Sequence, residues 1–168
     1  MSDETFLEMG RFVAEHGPGC GHRIDLLPAD GVGYYGDLDR RPRPWNGCAA
    51  GLASCGITAE GLVKGCLSMP DRLVEGDLRH HDLWDIWFSA DAFAYNRSFR
   101  SDDLGDACAG CEHGLQCRGG CAVMSLAATG GFHGDPYCFH GIEQRASGRP
   151  QRLSTSTPCQ VPSPPRSQ

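Results

Sequence analysis

Cysteine is the residue in this chain best placed to do chemistry, with ten among 168 residues. Cys48, Cys55 and Cys66 form a first group. The run Cys108-x2-Cys111-x5-Cys117-x3-Cys121 forms a second, and Cys138 follows it. A Cys-x2-Cys turn lets two thiolates face one metal centre while backbone N–H groups point at the sulfurs. Gly110, Gly114, Gly119 and Gly120 let the chain wrap closely round a bulky group, since glycine lacks a Cβ and tolerates positive φ. Four thiolates suit tetrahedral zinc or an iron–sulfur cluster, and spacing alone leaves both open.

The other polar residues carry weaker signals. Cys20 and Cys159 fall outside the pattern and read as thiols without a ligand role. The histidines have no ligand spacing; His80-His81 reads as solvent-facing, and His113 lies where a hydrogen bond to a ligand could form. Lys64, Arg79 and Arg118 lie near cysteines in sequence, where a cation would raise a cluster's potential. Each is equally consistent with plain surface charge.

Composition narrows the classes. Leu, Ile, Val and Phe number 31, a thin apolar complement for 168 residues, so metal or disulfides must reinforce the fold. The formal charge of -6 argues against a duplex nucleic-acid partner. No apolar run is long enough to span a membrane, and the acidic N-terminus leads into no signal-like apolar stretch. The expected location is therefore cytoplasmic, where thiols stay reduced and metal binding outranks a disulfide framework.

The elements that must position the cysteines are short. Residues 3–16 read as a helix with Phe6, Met9 (or Gly10) and Val13 at helical spacing, stopped by Gly17-Pro18. His22–Leu27 is strand-like, residues 30–36 a glycine-punctuated loop, and Arg40–Pro44 a charged connector. Leu52–Thr58 and Leu62–Cys66 read as two strands joined by a hairpin loop at Ala59-Glu60-Gly61. Asp82–Phe99 is helical and aromatic-rich, with a break signalled by Ser89 and Asp91, and its apolar side chains read as core. Asp106–Gly120 is a loop, and Cys121–Thr129 a helix capped by Gly130-Gly131. Residues 146–168, rich in Pro and Ser, read as a disordered tail.

The order of the cysteines, with Gly61 five residues before Cys66, closely resembles the SPASM domain. That domain is the auxiliary-cluster part of many radical S-adenosylmethionine (SAM) enzymes that modify peptides and proteins. The connecting words agree, among them Gly65-Cys66-Leu67-Ser68, Leu83-Trp84-Asp85-Ile86-Trp87, Phe93-Ala94-Tyr95-Asn96-Arg97 and Cys117-Arg118-Gly119-Gly120-Cys121, and the match runs over about 44–143. By position, the resemblance implies that Cys48, Cys55, Cys66 and Cys121 hold one [4Fe–4S] cluster. It assigns Cys108, Cys111, Cys117 and Cys138 to a second. It implies a small, loop-rich α+β fold: a β-hairpin and short helices organised around two clusters, with a remnant of a barrel end at the N-terminus.

The resemblance also marks what is missing. The family's catalytic barrel and its Cys-x3-Cys-x2-Cys loop have no counterpart here, so no SAM site and no catalysis by this chain alone are expected. Leu67 stands where sulfatase-maturing members carry an acidic residue, so that role is not implied. The organisation implied is 1–43 as a helix and strand leading from a barrel, 44–145 as the double-cluster domain, and 146–168 as the tail. The expected function is an auxiliary iron–sulfur module of a peptide-maturation system, relaying electrons and docking peptide, with a separate radical SAM barrel or a peptide as partner. The alternatives are a zinc-stabilised interaction module with two four-cysteine sites, and a non-functional fragment.

Overall fold

A computed structural model describes residues 2–17, 26 and 45–147. In chain order the elements are α1 (Asp3–His16), β1 (Gly56–Ile57), β2 (Leu62–Lys64), β3 (Val74–Asp77), α2 (Leu83–Trp87), α3 (Ala94–Arg97), α4 (Gly114–Cys117), α5 (Ala122–Thr129) and α6 (Phe139–Ser147). Single 3-10 turns lie at Asp71–Leu73 and Ser101–Asp103. The small α+β character read from sequence is thus present. The expected strand at 22–27, the loop and connector of 30–44, Cys20, Cys159 and the tail beyond Ser147 lie outside the described residues. Among the described residues no helix is long and apolar enough to cross a membrane.

The chain divides into two compact units, Met1–Trp45 with Pro136–Gln168, and Asn46–Asp135. In the first, Ser2 caps α1 by accepting the Thr5 N–H at 3.2 Å, and Asp3 and Glu4 place negative charge at the helix's positive end. Phe6 and Leu7 of α1 bury against Phe139 and Ile142 of α6. Gly10 faces the Phe139 ring so closely that a Cβ there would overlap it. The helix expected at 3–16 forms with those bounds; α6, which runs through Ser147, was not foreseen.

The second unit is built on an antiparallel sheet in the order β1-β2-β3. Gly61 takes φ +87 in the turn between β1 and β2, the positive φ expected of a hairpin glycine. Val63 pairs with Ile57 on one side and Gly76 on the other, and a bulge follows between Val63 and Lys64. Val63 is fully buried with Ile86, Ala92 and Phe93. A second cluster joins Ala50, Met69 and Ala122. The helical stretch expected at 82–99 forms as two short helices with a break around Ser89 and Asp91, as expected, and Phe93 adopts a left-handed backbone (φ 56) from which the chain restarts as α3. The core role given to this stretch holds for Ile86 and Phe93, while Trp84 and Phe88 are exposed and stack on each other.

Candidate metal centre

The first group of cysteines hangs on α3. Asn96 is buried, and its Nδ2 donates to Cys48 O at 2.8 Å and Ala50 O at 2.9 Å. Arg97 Nε donates to Gly51 O at 2.8 Å, and its guanidinium lies 4.7 Å from the Trp87 and Phe93 ring centres. One short helix therefore holds the backbone of the Cys48 loop at three carbonyls. Cys66 leaves β2 in a tight turn, its carbonyl accepting the Met69 N–H at 3.0 Å. The buried Lys64 Nζ closes the same turn by donating to Met69 O at 2.7 Å.

Cys121 stands at the N-cap of α5, and the N–H groups of Val123 and Met124 favour its thiolate. Burial outweighs them and pushes the Cys121 thiol up, with the neighbouring Cys48 acting in the same direction. Cys48 and Cys66 pack against the cluster that contains Ala122, the residue after Cys121. Three of the four cysteines expected in the first set thus share one neighbourhood. Cys55 packs instead against the Val63, Ile86 and Phe93 cluster. Tyr95 touches both clusters.

The second group lies on a string of tight turns. N–H groups of Cys108, Cys111 and Gly114 donate to the carbonyls of Gly105, Cys108 and Cys111 at 2.8, 3.1 and 2.9 Å. The Cys117 N–H then donates to His113 O at 2.7 Å as α4 forms, and Gly120 N–H closes on Cys117 O at 3.3 Å. Cys108 Sγ lies 4.0 Å from Asp135 O. Gly119 and Gly120, at φ +74 and +85, run against the backbone of His133 and the side chain of Asp135, and a Cβ at either would overlap them. His133 stitches the unit together: Nδ1 lies 2.8 Å from Arg118 O and Nε2 2.5 Å from Tyr95 O. Cys138 immediately precedes α6, and its carbonyl accepts the Ile142 N–H at 2.9 Å.

None of the eight cysteines is joined in a disulfide. Among the described residues no three of their sulfurs lie within 4.8 Å of one another. All three cations near the cysteines in sequence make other contacts. Arg79 forks onto Asp77 at 2.6 to 3.0 Å, which holds the Asp77 carboxyl well below the usual carboxylate range. Lys64 binds Met69 O and Asp71. Arg118, left-handed at φ 55, donates to Asn96 O at 3.2 Å and lies over Phe99. His80 and His81 are exposed, as expected. Sequence reasoning passed over Tyr95, Asn96 and His133. Their partners lie far along the chain, and no local spacing signals them.

Residues 48–112 match the SPASM family, an iron–sulfur cluster-binding domain. Over 99 residues, 57% of this chain, the sequence is 31% identical to mycofactocin maturase MftC of Mycolicibacterium smegmatis (strain ATCC 700084 / mc(2)155). The chain spans about a quarter of that relative's length. No solved structure matches. The resemblance read from the cysteine order is therefore borne out over residues 48–112, which match the model of that family.

Proposed function

We propose that the chain, whose residues 48–112 match an iron–sulfur cluster-binding family, holds two [4Fe–4S] clusters as the auxiliary module of a radical SAM peptide-maturation system. Cys48, Cys55, Cys66 and Cys121 hold the first, and Cys108, Cys111, Cys117 and Cys138 the second. The assignment of Cys55 and Cys138 rests on their place in the sequence. The observation that carries the reading is the meeting of Cys48, Cys66 and the Cys121–Ala122 step at one apolar cluster.

The donor set fits. The cysteines are half-buried or buried, the N–H groups of Val123 and Met124 face Cys121, and glycines bring bare backbone alongside Cys117 and Cys121.

When bound, such clusters supply one-electron transfer. The protein's part is to hold the thiolates, keep water from the sulfurs and set the potential by nearby hydrogen bonds. In this reading 44–145 is the cluster domain, 1–43 connects to a separate barrel, and 146–168 is a tail; the partner is that barrel or a peptide. The work is done in the cytoplasm, with thiols kept reduced.

Anaerobic reconstitution tests the reading. A brown protein with broad visible absorbance is expected, whereas a colourless protein contradicts it, because zinc is d¹⁰. Cys111→Ala should remove about half the iron, since it touches one centre of two.

A further inference from the structure

The hydroxyl of Tyr95 is buried and has no hydrogen-bond partner among the described residues. Its direction is well determined. The ring stacks on Phe132 with centroids 4.7 Å apart, α3 fixes the backbone, and the Tyr95 carbonyl faces His133 Nε2. The oxygen itself presses on Gly65, where a Cβ would overlap it. Gly65 precedes Cys66, and Tyr95 packs on the same apolar cluster as Cys48 and Cys66. A tyrosine hydroxyl can donate one hydrogen bond as well as accept, so the oxygen has a proton to offer.

A buried hydroxyl without a partner carries a desolvation penalty that phenylalanine in the same place would not. Tyrosine packing alone therefore does not account for this oxygen. We propose that Tyr95 Oη is a hydrogen-bond donor to a sulfur of the first cluster, on its Cys48–Cys66 side, and that it sets that cluster's potential. The inference rests on the assignment of Cys48, Cys66 and Cys121 to one centre. An O–H donor withdraws charge from a cluster sulfur, favours the more negative reduced state and raises the potential. Tyr95 is in this sense a tuning residue and takes no part in bond-making.

The test uses the reconstituted full chain, with both centres followed by electron paramagnetic resonance during redox titration. Tyr95→Phe should move one midpoint to more negative potential and leave the other in place. The centre that moves should be the one whose signal Cys66→Ala removes. Uniform 3-fluorotyrosine, whose phenol is more acidic and a stronger donor, should move the same centre the other way without changing the packing. Midpoints unmoved in the fluorotyrosine protein overturn the proposal even if Tyr95→Phe fails to load. A shift confined to the other centre also overturns it. Wild-type protein that takes up no iron and sulfide contradicts the cluster assignment itself, and the role of Tyr95 with it.

Discussion

Asn96 reaches across 48 positions of sequence to Cys48, donating to its carbonyl at 2.8 Å from a side chain that is 1% exposed. The same Nδ2 donates to Ala50 O, so one amide fixes the backbone on both sides of Ala49. The position of the first cysteine is thus set by α3 rather than by its own loop.

Asn96→Ala should leave two carbonyls without their donor and cost about 1–3 kcal/mol of stability. Asn96→Asp should cost more, because it turns carboxylate oxygen toward carbonyl oxygen. Denaturant titration of the two variants against wild type gives the ranking; equal stability of all three would show that the bonds to Cys48 and Ala50 are dispensable.

Much of this arrangement was legible and some was not, for physical reasons. Helix α1 announces itself through Ser2, the acidic first turn and Gly17, all local signals. The hairpin does so through Gly61. Strand β3 gave no alternating pattern, because Gly76 is there to admit Ile86, whose Cδ1 would lie 2.6 Å from a Cβ at that position. The break before α3 was signalled locally by Ser89 and Asp91, whereas the close approach of Phe93 to Gly51, more than forty residues upstream, was not. The cysteine order was legible as a family pattern, but the residues that hold the cysteines were not. Asn96, Lys64 and His133 bind carbonyls, and every residue type offers a carbonyl.

The glycines of the second cysteine loop should separate into two classes. Gly110 is left-handed at φ +75 but faces open space, so Gly110→Ala should cost only the backbone term, about 1–2 kcal/mol. Gly119→Ala adds an overlap with the His133 backbone and should abolish stable folding of the loop. Thermal melts of the reconstituted variants compare them; equal melting of the two would mean that the Gly119–His133 approach is not tight in solution.

The Asp77–Arg79 fork predicts a pH dependence. Arg79 lowers the Asp77 carboxyl below its unfolded value, so the contribution is complete well above that value and is lost as pH falls below about 4. Asp77→Asn should melt below wild type at neutral pH, and the gap should narrow as pH drops from 4 to 3. A gap constant over that range would show that the fork is not coupled to folding.

Folding of the second unit should depend on its metal. Its described core consists of two small clusters with four and three buried residues, joined by turns and loops. Ligand binding then supplies part of the folding energy. Iron-free protein should be cut by protease between Cys66 and Cys138 where the loaded protein resists, which limited proteolysis of matched samples reads directly. Equal resistance would mean that the apolar contacts suffice.

Iron, acid-labile sulfide and zinc measured together on one anaerobically reconstituted sample test the central claim most directly. Two four-iron clusters require about eight iron and eight sulfide per chain, with zinc near zero. About two zinc per chain, with no sulfide, would contradict the account.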